Sequence, residues 1–147
     1  MSTMHDVLEK KGYEVYATTL GATVDDAVVE MCRARVGALL VRDDDGRAAG
    51  ILSERDLLIR VLLSHRDPAT TTVAKVMTHR LVSVEMDLTI AGAMALMTRE
   101  HCRHLPVVVE GDVVGLVSIG DLALMISENQ EFEIRTLHAY VEGRYPG

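Results

Sequence analysis

The sequence predicts an α+β protein made of two pseudo-symmetric β-α-β-β-α repeats packed through their sheets. Three observations carry this prediction. Residues 50–56 read Gly-Ile-Leu-Ser-Glu-Arg-Asp and residues 115–121 read Gly-Leu-Val-Ser-Ile-Gly-Asp, the same pattern 65 positions apart. Upstream, Thr23-Val24-Asp25-Asp26-Ala27 with Met31 matches Thr89-Ile90-Ala91-Gly92-Ala93 with Met97 at an offset of 66, and self-similarity at a fixed period marks repeated supersecondary units. Between these matches each copy carries two short apolar runs around a glycine turn, the pattern of a hairpin.

The elements follow in order. A short extended stretch opens each copy, Val15 to Thr18 in the first and Leu81 to Glu85 in the second. Thr23 and Thr89 then stand as helix caps, side-chain acceptors for free backbone amides. Val24, Ala27, Val28 and Met31 recur at helical spacing, as do Ile90, Ala93, Met94 and Met97. Strands are expected at Ala38 to Val41 and Ala48 to Leu52 around Asp45-Gly46, and at Leu105 to Val109 and Val113 to Val117 around Gly111-Asp112. A second helix follows in each copy, Glu54 to Leu63 and Gly120 to Ile126. The first copy thus occupies residues 10–65, a proline- and threonine-rich connector 66–75, the second copy 76–127 and a helical tail 128–147. Phe132, Ile134, Leu137 and Val141 give that tail an apolar series that should pack against a neighbour. A unit of about 55 residues with three short strands cannot cover both faces of its own sheet, so the copies should pack on each other.

Composition excludes several function classes. With 147 residues, 48% of them apolar, the chain can bury a core of its own. No apolar run approaches the roughly 18 residues of a membrane span, and the start MSTMHDVLEKKGYEV lacks the apolar block of a secretory signal, so a cytoplasmic protein without membrane contact is expected. The net charge of −7 is spread over both halves and forms no basic stripe, which argues against nucleic acid as partner. Cys32 and Cys102 form no paired motif and read as space-filling residues.

Ser53 to Asp56 and Ser118 to Asp121 admit two readings. Serine followed three residues later by an acid at a helix start is a capping box, in which hydroxyl and carboxylate both bond free amides. The same atoms could serve a ligand: a helix N-terminus favours anions, and a carboxylate held there can accept hydrogen bonds from the two hydroxyls of a ribose. Gly50 and Gly115 open the strands leading in, where the missing β-carbon lets another backbone or a ligand come close.

The doubled Gly-h-h-Ser-x-x-Asp pattern, with h an apolar residue, together with Arg103-His104-Leu105-Pro106-Val107-Val108, resembles the cystathionine beta-synthase (CBS) domain family as a stand-alone tandem pair, over roughly residues 10–127. The resemblance implies a pair usually dimerised into a flat disc, with clefts that bind adenosyl ligands: AMP, ADP, ATP, S-adenosylmethionine or a dinucleotide such as NAD. It implies that Asp56 and Asp121 hold ribose, that Ser53 and Ser118 hold ribose or phosphate, and that Val15, Tyr16, Met77, Thr78 and Val82 line the adenine pockets. The copies differ. Arg103-His104 stands where the first has Gly37-Ala38, and Glu54-Arg55 where the second has Ile119-Gly120. Arg55, Arg103 and His104 are the candidate phosphate cations, and the two clefts should differ in affinity.

Other candidates carry less. His101-Cys102-Arg103-His104 offers too few ligands in one loop for zinc, and no second cluster completes it. Met31, Met94 and Met97 fall on apolar helix faces and fill core. Asp43-Asp44-Asp45-Gly46 lacks the glutamate that closes a calcium loop and reads as a hairpin tip. No activated nucleophile, dinucleotide fingerprint or P-loop is present. The expectation is a non-enzymatic regulatory module, homodimeric in the family manner, with an adenine nucleotide as regulatory ligand, no obligatory cofactor and an effector protein as its output. The alternative is a ligand-free dimeric scaffold in which both serine-aspartate pairs act only as caps.

Overall fold

The computed structural model describes the backbone of residues 1–141 and the side chains of residues 1–130 and 135. A helix α1 (Met4–Lys11) precedes the first repeat, which runs β1 (Ala17–Thr19), α2 (Val24–Ala34), β2 (Ala38–Arg42), β3 (Ala48–Ser53) and α3 (Glu54–Asp56), the last continuing without a break into a π-helical stretch Leu57–Leu62. A short helix α4 (Val73–Val76) leads to the second repeat: β4 (Val84–Glu85), α5 (Ile90–Glu100), β5 (His104–Val109), β6 (Asp112–Ser118) and α6 (Ile119–Val141).

Each repeat forms its own three-stranded sheet, in the orders β1-β2-β3 and β4-β5-β6. The first pair of strands in each is parallel and the second is an antiparallel hairpin. Both hairpins shift register at equivalent places, between Val41 and Arg42 and between Val107 and Val108. The turns follow local chemistry. Gly46 takes φ +80° with the Asp43 carboxylate bonded to the amides of Asp45 and Arg47, while Glu110 and Gly111 both take positive φ, as a tight hairpin turn requires. Thr23 caps α2 by accepting from the Asp26 amide at 3.2 Å, and Thr89 caps α5 by accepting from Gly92 at 3.1 Å. Helix α2 buries Val24, Ala27 and Met31 and α5 buries Ile90, Ala93 and Met97, so the apolar spacing marks the inward faces.

The two cores are separate, and the segment before each repeat belongs to the other one. Met4, Val7 and Leu8 of α1 are buried in the second repeat's core with Leu105, Val107, Val117 and Leu122. The Met4 amide donates to Leu88 O and the Ile90 amide to Ser2 O, and Thr3 bridges Thr89. In the mirror arrangement Val73, Val76 and Met77 are buried in the first repeat's core, the Val73 amide donates to Ala22 O, and Thr72 bridges Thr23. Burial of each large apolar side chain contributes about 1.5–3 kcal/mol, enough to fix both segments on their distant partners.

Two features depart from the sequence reading. The stretch 66–75 is not a bare connector, because α4 begins inside it and packs on the first repeat; likewise α1, which the pattern left unassigned, completes the second. The helical tail, as expected, continues the second helix of the second copy, which runs unbroken as α6 to Val141. The packing expected of Phe132, Ile134, Leu137 and Val141 lies outside the described side chains.

Candidate functional site

Each strand-to-helix junction carries the capping box. Ser53, extended at φ −111° and ψ 165°, ends β3. The Asp56 carboxylate Oδ2 accepts from the Ser53 amide at 2.9 Å and its hydroxyl at 3.2 Å, and the Asp56 amide donates back to Ser53 Oγ at 3.3 Å. In the second repeat the Ser118 amide donates to Asp121 Oδ2 at 2.8 Å, and the Asp121 amide to Ser118 Oγ at 3.1 Å. The box accounts for the spacing, and it leaves the outer edges of both carboxylates for something else.

What meets those edges comes from the exchanged segments. Thr78, just after α4, donates its hydroxyl to Asp56 Oδ1 at 3.0 Å. Arg60 stands 3.9 Å from the same oxygen, with its guanidinium tied to the carbonyls of Val76 and Met77. Lys11, the last residue of α1, donates to Asp121 Oδ2 at 2.6 Å and to Leu116 O at 2.5 Å. The two carboxylates are therefore in unequal states. The Asp56 side chain is 8% exposed and both of its oxygens are bonded within the protein. The Asp121 side chain is 23% exposed, and its Oδ1 receives no hydrogen bond among the described residues. A carboxylate offers about four acceptor positions, so Asp121 retains capacity for hydroxyl donors.

Gly50 and Gly115 lie inside β3 and β6, not at their starts, and the space they leave admits protein. A β-carbon on Gly50 would lie 2.5 Å from Thr78 O and 3.0 Å from Met77 Sδ, and one on Gly115 would lie 2.6 Å from a methyl of Leu8. Met77 and Leu8 thus occupy equivalent places in the two halves. Met77, expected to line an adenine pocket, is 2% exposed and packs in the first core. Of its companions, Thr78 reaches Asp56 and Tyr16 packs against that same first core, with its hydroxyl held by Glu14, which raises its pKa. Val15 is half-buried beside Tyr16 in the sequence, whereas Val82 packs on the second core. The five residues are therefore divided between the halves.

Arg55 and Arg103 are exposed, and their guanidinium groups make no hydrogen bond or ion pair among the described residues. His104 is half-buried where the repeats meet: a β-carbon on Gly37 would lie 3.5 Å from His104 Nε2 and 3.2 Å from Glu54 Oε1. The Gly37 carbonyl accepts from the Glu54 amide, as the Arg103 carbonyl accepts from Ile119, and a β-carbon at 37 would crowd the Glu54 carboxylate and rest in ordinary contact with His104.

Burial lowers the pKa of His104, and Lys11 and Arg103 push the same way, against Asp121 and Glu54. The folded protein thus resists a proton that the unfolded chain accepts near pH 6.5. Above that pH both states are neutral and the residue has no linked effect; as pH falls through 6.5 stability is lost, down to the lower folded pKa. Thermal melts of His104→Gln are expected to show a smaller drop in Tm from pH 7.5 to 5.5 than the wild type. Parallel profiles would assign the drop to other groups.

Sequence reasoning missed Lys11, Arg60 and the reach of Thr78. Arg60 had a local signal, four residues from Asp56 on one helix. Lys11 had none, lying 110 residues from its partner.

Two β-α-β-β-α units, each with a capped carboxylate at its strand-to-helix junction and each completed by the segment that precedes the other, define a tandem-repeat α+β module. The family model of the CBS domain matches residues 11–63 and 73–128, and the chain belongs to that family. It is 34% identical over 152 aligned residues, 98% of this chain and 74% of the relative, to the CBS domain-containing protein CBSX3, mitochondrial, of Arabidopsis thaliana. Among solved structures it is similar to a putative signal-transduction protein with CBS domains from Burkholderia ambifaria MC40-6, with a TM-score of 0.84 and 37% identity over 88% of this chain and 96% of that one. It also shares the fold of the CBS domain protein PAE2072 from Pyrobaculum aerophilum complexed with AMP, with a TM-score of 0.72 and 24% identity over 82% of this chain and 89% of that one. Among the described residues no helix is long and apolar enough to cross a membrane.

Proposed function

We propose that the protein is a non-enzymatic regulatory module that binds an adenosyl ligand, AMP, ADP or ATP, with NAD and S-adenosylmethionine as further members of the class, and passes its state to a partner protein. The observation that carries this reading is the partly exposed Asp121 carboxylate at a helix N-terminus, with one oxygen open, Lys11 bonded to the other, and His104 within the field of both Asp121 and Arg103. A ribose supplies the hydroxyl donors that Asp121 Oδ1 lacks, and a phosphate supplies the anion that the unpaired Arg103 lacks. The AMP held by the Pyrobaculum relative supports the ligand class. In the first repeat Ser53, Asp56 and Arg55 stand at the equivalent junction, but the Asp56 side chain is 8% exposed with both oxygens already bonded, so the first site is the weaker one. Leu58, Ile59, Leu62 and Leu63, 44% to 72% exposed on one stretch, support a homodimer.

Calorimetric titration of AMP, ATP, NAD and S-adenosylmethionine into the wild type, Asp121→Ala and Asp56→Ala tests the reading, with sedimentation of the same samples as a readout of mass. The expected result is binding by a species of twice the chain mass, weakened about 10- to 100-fold in Asp121→Ala, the size of a lost charge-assisted hydrogen bond. The scaffold alternative expects no heat with any ligand and only about 1 kcal/mol lost from the missing cap.

A further inference from the structure

The Lys11–Asp121 contact is a charge device at the mouth of the second site. The ammonium arrives from α1, bonds the one carboxylate that has an open oxygen, and is about one third exposed on a flexible stem. Its second bond, to Leu116 O, holds it on the same edge. The first site has no counterpart. There Asp56 meets a neutral hydroxyl from Thr78, and the nearby Arg60 is anchored by two backbone carbonyls. Release of Thr78 gives up a bond from an uncharged donor, which water can replace and which leaves no cation behind. Release of Lys11 breaks an ion pair and leaves an unpaired ammonium, with Arg103 as a second cation acting on His104. An anion delivered with the ribose repairs that imbalance, and an uncharged ligand does not.

We propose that Lys11 sets the charge the second site demands of its ligand: the ribose takes over Asp121, and the displaced ammonium pairs with a phosphate that the ligand must carry. The inference rests on the ligand class proposed above and adds a selection within it. Phosphate-bearing adenosyl ligands are accepted at Asp121, and a plain nucleoside is rejected there by a residue from the opposite end of the chain.

The test titrates AMP and adenosine into the wild type, Lys11→Met and Lys11→Arg at two salt concentrations. Melting curves first establish that each variant folds, as a partly exposed helix-terminal position permits. The expected result is a wild-type preference for AMP over adenosine that falls at least tenfold in Lys11→Met, together with a flatter salt dependence of AMP binding, while Lys11→Arg keeps both. An AMP-to-adenosine ratio and salt dependence unchanged in Lys11→Met overturn the role of Lys11 while leaving the ligand reading intact. Absence of binding by either ligand to the wild type overturns both.

Discussion

Leu8→Ala is expected to lower the stability of the protein by about 2–5 kcal/mol, although residue 8 precedes both repeats. The side chain is fully buried in the second repeat's core, and its methyl groups fill the space that Gly115 leaves by lacking a β-carbon. Truncation removes that packing and leaves a void lined by fixed strands, which cannot collapse into it. In a chain of this size the loss corresponds to a fall in Tm on the order of 10 °C. Val29→Ala, at a position 67% exposed on α2, serves as the control and is expected to change stability by about 0.5 kcal/mol or less. Leu8→Ala should also loosen the end of α1 and with it the hold of Lys11 on Asp121. Comparable melting temperatures for Leu8→Ala and the control would show that α1 is not part of the second core.

That dependence marks where the sequence stops being legible. The repeat, the threonine caps, the hairpin turns and the inward faces of α2 and α5 rest on residues within a few positions of each other, so period and turn chemistry suffice to read them. Helix α1 also has a local signature: the Thr3 amide donates to the Asp6 carboxylate, which holds the Asp6 pKa low, and Met4, Val7 and Leu8 follow at helical spacing. Its existence was open to reading; its destination was not. Nothing local to residues 3–11 says that they complete a core that begins only at Val84. The same holds for Met77, whose position before a strand suggested a pocket and whose burial makes it core.

The candidate site divides in the same way. The serine-aspartate spacing identifies the cap in both copies, and Thr3–Asp6 shows that such a box also occurs where its acid faces no exchanged segment. What separates Asp56 and Asp121 from Asp6 is the third partner, Thr78 or Lys11, supplied from the other end of the neighbouring repeat. The exchange of segments gives the two carboxylates different partners and different exposure, a difference that no comparison of the two motifs in isolation contains.

Gly50→Val is expected to be the most damaging single change at either junction, costing about 3 kcal/mol or more. A β-carbon at this position would lie 2.5 Å from the Thr78 carbonyl oxygen, inside any real contact distance. That oxygen cannot step aside cheaply, because it accepts from the Ile51 amide at 3.0 Å while the Thr78 amide donates to Ile51 O at 2.8 Å. Overpacking alone costs about 1–3 kcal/mol, and a bridge forced apart leaves half-buried donors and acceptors without partners, each adding about 1–3 kcal/mol. Because the Thr78 hydroxyl hangs on the same backbone, its bond to Asp56 is lost as well, so the first site is disturbed with the fold. Gly115→Ala supplies the contrast. Its β-carbon meets only the methyl groups of Leu8, at 2.6 and 2.7 Å, and a side-chain tip yields more easily than a bridged carbonyl. Chemical denaturation should therefore rank Gly50→Ala below Gly115→Ala in stability, with Gly50→Val lowest; the reverse order would mean that the bridge between Ile51 and Thr78 is not what the missing β-carbon protects.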